Sequence, residues 1–216
     1  IPRMQWSDRS DELLLQHINR KQDTNNVYLV DAASGKSRRI FTDQELHYLD
    51  DFHDVEWLDD GESFTFVSER SGWRHVHKVS RDGQSVGDLT PGEYDIAKLL
   101  KVDTDGGWLY FTASPDNMTQ RYLYRAPLDG SGEKERITPE EYSGTNSYKI
   151  SDDARYAVHT HSSFTQPPQY RLVRLDDHEV LQTFEDNQEL IDRLAELKLG
   201  KHEFFQVQVQ DGLTLD

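Results

Sequence analysis

The feature that most constrains the fold of this chain is an internal repeat with a period of 48 residues. Three turn-and-strand endings close on Thr42, Thr90 and Thr138, at two equal intervals of 48 residues. A weaker fourth copy closes at Thr183, after the turn residues 176–178. Self-similarity at this period is typical of repeat architectures, in which each unit buries its apolar face against its neighbours.

Apolar and polar residues alternate within each repeat, and a period of two indicates β-strands. The second predicted strands are Leu13–Ile18, Phe64–Val67, Trp108–Thr112 and Tyr156–His159. The third predicted strands are Val27–Val30, Arg74–Val79, Tyr122–Arg125 and Tyr170–Val173. The first strands are shorter, at Met4–Trp6, Val55–Leu58, Ile96–Val102 and Tyr148–Ile150.

Four short antiparallel strands in each repeat predict an all-β fold, a β-propeller with about four four-stranded blades. The predicted blades span residues 1–45, 46–92, 93–140 and 141–185. A β-sandwich with even spacing is the alternative, but a sandwich does not repeat a turn motif in register. Because roughly four to eight blades close a ring, we expect this chain to form part of a larger one.

The repeat ends after Phe184, and residues 187–198 have helical spacing, with Asp186 as the predicted N-cap and Gly200 as the stop. Residues 204–209 then alternate again before an Asp-Gly turn at 211–212. We predict that 186–216 is a linker helix followed by the first strand of another domain, and that the sequence given is a piece of a longer protein.

Composition excludes several classes of function. The chain has 24 basic and 40 acidic residues, a formal charge of -16, which argues against binding of nucleic acid. Cysteine is absent, so disulfides, thiolate metal sites and a cysteine nucleophile are excluded. No apolar run approaches the roughly 18 residues needed to span a bilayer, and we expect no cofactor. A peptide with a free amino terminus is compatible with the negative charge.

Residues 83–87 read Gly-Gln-Ser-Val-Gly, the pattern of a nucleophile elbow. That motif requires a buried strand before the serine and a helix after it. Here it falls between the third and fourth strands of the second repeat, where the other repeats also carry Gly/Ser-rich turns. The sequence therefore favours a turn.

Two His-x-His pairs occur, His75/His77 and His159/His161. Residues i and i+2 of a strand share a face, so each pair could present two imidazoles to a metal ion. A third ligand at matching spacing is not evident. Packing and hydrogen bonding within a blade is the preferred interpretation, and no metal site is predicted.

Three further features lie in predicted loops. Glu140 and Glu141 form an acidic pair that could bind an ammonium group, although a solvated pair is the preferred interpretation. Residues 117–119 fit a glycosylation sequon. The loop 43–54 is long and acidic, contains Tyr48 and Phe52, and would lie on a rim of the propeller, where binding residues concentrate.

Several segments together resemble the propeller of the dipeptidyl peptidase IV family of serine peptidases, in the prolyl oligopeptidase clan. They occur in the family's order and spacing along nearly the whole chain, and Ser-Glu-Arg-Ser-Gly-Trp is the most specific of them. The segments are residues 1–6, 19–22, 68–76, 121–124, 144–152, 162–168 and 204–212.

The resemblance implies an eight-bladed propeller joined to an α/β-hydrolase domain that carries Ser, Asp and His. It also implies release of Xaa-Pro or Xaa-Ala dipeptides from peptide amino termini, with the propeller restricting access. The family's paired acidic residues are expected upstream of this sequence and its nucleophile downstream, so we predict no catalytic residue here. The predicted substrate contacts are Tyr48, Asp50 and Phe52, although family members offer an aromatic and a basic residue where this loop is acidic.

Two alternatives remain open: a stand-alone propeller that binds a peptide or protein, and the propeller of an oligopeptidase or acylaminoacyl peptidase. The helix and strand of residues 187–216 argue against the first. The resemblance further implies a homodimer when the protein is intact. It favours a periplasmic or extracellular location, with the cytoplasm as the alternative.

Overall fold

A computed structural model describes residues 3–49, 53–198, 200, 203–210 and 212–215, apart from the side chains of residues 60 and 213. The chain divides into two compact units. The first comprises residues 1–96 and 126–133, and the second comprises residues 97–125 and 134–216. Among the described residues, no helix is long and apolar enough to cross a membrane.

The first unit contains two four-stranded antiparallel sheets in which sequential strands are neighbours. The first sheet consists of β1 (Arg3–Trp6), β2 (Glu12–Ile18), β3 (Thr24–Asp31) and β4 (Ser37–Gln44). The second consists of β5 (Trp57–Leu58), β6 (Ser63–Ser68), β7 (His75–Ser80) and β8 (Val86–Asp88), with a 3-10 turn at 59–61. Each sheet is a meander, as expected for short strands joined by polar turns.

One apolar core serves both sheets of the first unit. Leu14 and Val27 of the first sheet and Phe64 of the second are fully buried, and all three belong to one cluster. The rings of Phe41 and Phe66 meet edge to face at 5.1 Å between centroids. Packing these two faces together buries apolar surface that a single four-stranded sheet would leave exposed to water.

Arg81 fixes the contact between these two sheets on the polar side. Its guanidinium donates to Asp8 Oδ1 and to the carbonyl of Gly61, each at 2.7 Å, and it pairs with Glu12. The same group lies 4.6 Å from the centroid of the Trp57 ring. A half-buried guanidinium with this many acceptors is held in one geometry.

The third sheet, most of which belongs to the second unit, has the strand order β12-β11-β10-β9. Its strands are β9 (Ile96–Asp103), β10 (Trp108–Ala113), β11 (Tyr122–Pro127) and β12 (Glu135–Arg136). The fourth sheet consists of β13 (Thr145–Ile150), β14 (Tyr156–Ser162), β15 (Gln169–Arg174) and β16 (Val180–Glu185). Helix α1 (Gln188–Ala195) and a hairpin of β17 (Val207–Gln210) and β18 (Leu213–Leu215) follow.

The second unit has its own core, built from Leu123 of the third sheet and Ala157 and Val173 of the fourth. Residues 121 and 144–146 join the two sheets through their backbones. Arg121 N–H donates to the carbonyl of Gly144 at 2.8 Å, and Asn146 N–H donates to the carbonyl of Arg121 at 3.1 Å.

These sheets confirm the predicted all-β class and the predicted second and third strands of every repeat. The first strand of the second sheet is shorter than predicted, at two residues instead of four. The reason is that Val55 bonds to a side chain: its N–H donates to Gln5 Oε1 and its carbonyl accepts from Gln5 Nε2, each at 2.8 Å. The boundaries predicted between the domains stay predictions.

The helix differs from the prediction at both ends. Asn187 occupies the N-cap position, with a left-handed φ of 55° and no capping bond from its own side chain. Asp186, the predicted N-cap, instead accepts a hydrogen bond from Gln188 N–H at 3.0 Å. The helix ends at Ala195, before the predicted stop at Gly200. All of its residues remain at least partly exposed, so packing does not extend it further.

Candidate functional site

The loop between β4 and β5 is the candidate binding segment, and the structure describes it on both sides of residues 50–52. Tyr48 is exposed to 53%, and its hydroxyl donates to Gln22 Oε1 at 3.0 Å. Its ring is therefore available to a ligand while its hydroxyl is held. Asp50 and Phe52, the other two predicted contacts, lie outside the described residues.

Backbone contacts attach the first half of this loop to the turn between β2 and β3. Leu49 N–H donates to the carbonyl of Gln22 at 2.6 Å, and Glu45 N–H donates to that of Asp23 at 3.0 Å. Leu49 itself is buried to 8% exposure. Gln22 can offer its carbonyl here because it adopts a left-handed φ of 57°.

The second half of the loop is attached to the first and second sheets. Gln16 Nε2 donates to the carbonyl of His53 at 2.7 Å, and Arg74 Nη2 lies 2.8 Å from His53 Nε2. Together with the Gln5–Val55 contact, these bonds hold the loop on both sides of its centre. Residues 48 and 53 are thus presented from a fixed frame.

A buried carboxylate lies beneath the loop. Asp43 is 3% exposed and accepts a hydrogen bond from Ser68 Oγ at 2.6 Å. Burial raises the pKa of this carboxyl group, and the Ser68 hydrogen bond and the charge of Arg70 oppose that shift. Two cavities of about 20 and 10 Å³ border Asp43. Each has room for about one water molecule, so a peptide can bind only on the surface of the loop.

The loop carries the acidic residues Glu45, Asp54 and Glu56, of which Asp54 lies 3.8 Å from the guanidinium of Arg3. Their negative charge would favour a ligand with a positive amino group. Tyr48 adds an exposed ring face, which attracts both apolar groups and cations. The described part of the loop therefore suits a ligand that carries both a cationic group and an apolar group.

His77 and Asp88 form a close pair that has the appearance of a catalytic dyad. Asp88 Oδ1 lies 2.6 Å from His77 Nδ1. The second ring nitrogen lies 3.2 Å from the carbonyl oxygen of Ser68, whereas the hydroxyl of Ser68 donates to Asp43. This arrangement lacks the contact between hydroxyl and imidazole that acyl transfer requires, so the pair is structural.

The structure confirms that the Gly-x-Ser-x-Gly segment is a turn. Gly83 N–H donates to the carbonyl of Ser80 at 2.7 Å, and the strand β8 follows where a nucleophile elbow would have a helix. Gly83 has a φ of 73°, and a Cβ at this position would lie 1.6 Å from the carbonyl oxygen of Ile40. Close packing between two sheets explains this glycine, and Ser85 lies exposed in the turn.

Both His-x-His pairs are buried within their sheets and make hydrogen bonds there. His75 Nε2 lies 3.0 Å from the carbonyl oxygen of Gly92. In the fourth sheet, His159 Nε2 lies 2.8 Å from Asn146 Oδ1, and His161 Nε2 lies 2.8 Å from the carbonyl oxygen of Ser143. These contacts agree with the preferred interpretation of packing and hydrogen bonding.

Sequence reasoning missed the surroundings of the second pair. His178, from the connection between β15 and β16, packs against His159 at 4.9 Å between ring centroids, and Tyr148 stacks on His159 at 4.6 Å. His178 stands alone in the sequence, so no local pattern indicates this contact. The strand register, which pairs Tyr148 with His159, was the only available signal.

The remaining sequence candidates lie on exposed turns. Glu140 and Glu141 are exposed in the turn that follows β12, as the preferred interpretation requires. Asn117 is also exposed, and its Oδ1 accepts hydrogen bonds from the amide and the hydroxyl of Thr119 at 3.0 and 2.8 Å. This contact closes a turn between β10 and β11.

The four sheets define the class of protein: an all-β chain made of propeller blades. The loop of residues 45–56, between β4 and β5, is called the rim loop below. Residues 1–168 match the family model described as the dipeptidyl peptidase IV (DPP IV) N-terminal region. The chain belongs to this family.

Two relatives and two solved structures place the match along the chain. The chain is 26% identical to dipeptidyl peptidase 4 of Trichophyton equinum and 27% identical to that of Trichophyton rubrum, and each alignment covers 100% of this chain. The crystal structure of Porphyromonas gingivalis dipeptidyl peptidase 4 matches 99% of the chain at 27% identity and a TM-score of 0.84. A Bacteroides ovatus structure, at 17% identity and a TM-score of 0.72, shows the fold alone.

These matches confirm the predicted partial propeller. The chain spans 28% of the length of the two fungal relatives and 30% of the Porphyromonas gingivalis chain.

Proposed function

We propose that this chain is the propeller portion of a serine exopeptidase that releases Xaa-Pro and Xaa-Ala dipeptides from the amino termini of peptides. In this proposal the propeller limits access to the reaction centre, and this portion alone is inactive. The observation that carries the proposal is the match to Porphyromonas gingivalis dipeptidyl peptidase 4 over 99% of the chain. The acidic rim loop supports a substrate with a free amino terminus.

The test is hydrolysis by the full-length protein encoded by the gene. Gly-Pro-p-nitroanilide should be cleaved, whereas the N-succinyl derivative and Pro-p-nitroanilide should not. A fluorophosphonate should abolish the activity by modifying one serine outside residues 1–216. Cleavage of the blocked substrate would instead identify an acylaminoacyl peptidase or an oligopeptidase. Absence of all hydrolysis would contradict the proposal and leave a binding module.

We propose that the rim loop contacts the substrate through Tyr48, Asp50 and Phe52. Tyr48 supports this role because its ring is exposed. Its hydroxyl bonds to Gln22, so the ring is the part of the side chain that a ligand can contact. Tyr48→Ala should raise KM by roughly 3–10-fold with kcat unchanged, the pattern of lost uniform binding, and Tyr48→Phe should change it little. Asp50→Asn and Phe52→Ala should act in the same direction as Tyr48→Ala. Tyr170→Ala removes another exposed tyrosine and serves as the control; an equal effect there would refute a specific contact.

The resemblance to dipeptidyl peptidases also supports a homodimer and a periplasmic or extracellular location for the full-length protein. Light scattering on the purified protein and fractionation of the producing cells test these two parts. A monomer, or recovery with the cytoplasmic fraction, would contradict the respective part and leave the hydrolysis test untouched.

A further inference from the structure

A group of closely packed rings lies at the fourth sheet and is here called the imidazole cluster: the buried His159, His161, His178 and Tyr148, and the partly exposed Tyr142. The histidines are 0%, 4% and 5% exposed, respectively. Their rings surround Tyr142 at centroid distances of 5.0 Å for His159 and 5.4 Å for each of the other two. Three imidazoles thus share one closely packed site.

The Nδ1 atoms of His159 and His161 are buried and have no hydrogen-bond partner, whereas a hydrogen bond of His178 to its own backbone favours a proton on that ring. The other ring nitrogen is engaged in every case: His159 with Asn146, His161 with the carbonyl of Ser143, and His178 with the hydroxyl of Tyr148 at 2.9 Å. Buried polar atoms are normally satisfied, so two unsatisfied ring nitrogens in one cluster require an explanation.

Asn146 determines which nitrogen of His159 carries the proton. Its Nδ2 group donates to the carbonyls of Arg121 and Tyr142 at 2.9 and 2.8 Å, so its Oδ1 must accept from His159 Nε2–H. A neutral His159 therefore has a bare lone pair on Nδ1, which needs little. A second proton would have to reside on Nδ1, where it would face no acceptor and leave a buried charge unpaired.

The charges around the cluster come from every element packed against it. Arg171 on β15 lies 5.1 Å from the centroid of the Tyr142 ring and opposes a positive charge on His159 and His178. Burial raises the pKa of Tyr148, and the positive charge of Arg136 on β12 opposes that shift. Glu141, in the turn before β13, and Asp177, in the connection after β15, favour a positive charge on His178.

We infer that the imidazole cluster is an acid-sensitive lock, which keeps the fourth sheet closed while its histidines are neutral and lets the sheet open when protons bind. Burial, together with His178, His161 and Arg171, lowers the pKa of His159 to about 3. Burial is also the main cause that lowers the pKa of His178. The inference is independent of the proposed peptidase activity.

The direction follows from proton linkage. A histidine whose pKa is lowered in the folded chain binds its proton more readily when the chain opens. Its contribution to the stability of the closed form is therefore complete above the unfolded pKa of about 6.5 and is lost as the pH falls. At pH 5 His159, with its pKa of about 3, favours the open form by roughly 30-fold, and at pH 7.5 hardly at all. His178 acts in the same direction. Opening of the fourth sheet should therefore increase at least about 30-fold between these two values.

Hydrogen exchange read by mass spectrometry on the full-length protein tests this inference, with rates corrected for intrinsic exchange at each pH. Peptides from residues 145–174 should open at least about 30-fold more at pH 5 than at pH 7.5. The double variant His159→Gln/His178→Gln, which has no titrating group at either position, should reduce that ratio to about threefold or less. His17→Gln, which removes an exposed imidazole, should behave as the wild type.

An opening ratio below about threefold in the wild type would overturn the inference, and so would an unchanged ratio in the double variant. Should the double variant fail to fold, NMR titration of the wild-type histidines replaces it. His159 and His178 that stay neutral down to pH 5 in the closed form support the lock. Protonation of either at pH 6 with the fourth sheet still closed refutes it.

Discussion

The second and fourth sheets each bury a His-x-His pair on one strand, and the two pairs are satisfied in different ways. In the second sheet, His77 lies between the carboxylate of Asp88 and the carbonyl oxygen of Ser68, so both ring nitrogens face acceptors. In the fourth sheet, His159 and His161 each leave one buried nitrogen without a partner. The same sequence pattern thus yields an imidazole with an acceptor at both nitrogens in the second sheet and imidazoles with one unpartnered nitrogen in the fourth.

The difference originates in the neighbouring strand and not in the pair itself. Strand β8 places Asp88 directly opposite His77, whereas β13 places Asn146 opposite His161 and Tyr148 opposite His159. An amide and a phenol cannot compensate a positive charge as a carboxylate does. Cross-strand partners therefore decide which groups face a buried imidazole.

Removing Asn146 should produce the largest loss of stability. Asn146→Ala deletes three side-chain hydrogen bonds and leaves the carbonyl of Tyr142 and the imidazole of His159 without this partner, whereas the carbonyl of Arg121 keeps the Asn146 N–H. We therefore expect a loss of about 3–5 kcal/mol. The matched change in the second sheet is Asp88→Ala, where the carboxylate is 41% exposed and the expected loss is about 1 kcal/mol. Urea denaturation of both variants measures the contrast, and equal losses would abolish it.

The buried tyrosines provide a second contrast. The Tyr148 hydroxyl bridges Thr138 Oγ1 and His178 Nε2, each at 2.9 Å, so Tyr148→Phe should destabilise by about 2 kcal/mol. Tyr94 donates to the carbonyl of Thr90 at 3.2 Å, and Tyr94→Phe should cost about 1 kcal/mol. Thermal unfolding distinguishes the two, and a larger effect at Tyr94 would show that the bridge contributes little.

Arg171 places a positive charge beside the imidazole cluster. Arg171→Met keeps much of the side-chain length while it removes the cation over Tyr142, so we expect a loss of about 1 kcal/mol at neutral pH. Because the charge of Arg171 lowers the pKa of His159 and of His178, both values should rise in the variant. NMR titration of the histidines reads this directly, and a downward movement would contradict the assigned geometry.

The smallest expected effect is a gain in stability beneath the rim loop. Burial raises the pKa of Asp43, so the folded form binds its proton more tightly than the unfolded chain does. Stability is then complete below the unfolded pKa of about 3.8 and is reduced as the pH rises through the folded value. Asp43→Asn keeps an acceptor for Ser68 and should stabilise the protein by about 1 kcal/mol at pH 7, with no gain at pH 3. Melting curves at both values check this, and a loss at pH 7 would mean that the carboxylate has an effective cationic partner.

Strand positions could be predicted from the sequence because alternation at period two is a local signal. The predicted second and third strands of the four repeats lie within three residues of the observed ends, as β6 and β10 illustrate. Strand β5 was overestimated, since the bonds of Val55 go to Gln5, about 50 residues earlier in the chain. The predicted end of the helix is wrong because Gly200 marks only where a helix can end. A helix without packing contacts ends earlier.

The candidate site was predictable only as a loop. Its length, acidity and aromatic content indicated a rim segment with Tyr48 exposed, whereas the buried Asp43 and the contact between Arg74 and His53 arise from long-range packing. The imidazole cluster was invisible for the same reason. His178 reaches it from a different connection, and neither spacing nor composition encodes that approach.

The contact between Gln5 and Val55 has a consequence for how such repeats diverge. Here the amide side chain of Gln5 in the first sheet bonds to the backbone of Val55, which precedes the first strand of the second sheet. That strand, β5, has two residues. A duplication of either copy alone would carry half of this contact into a new neighbourhood. Exchanging one of the two sheets alone would therefore break this contact, whereas moving both together would keep it.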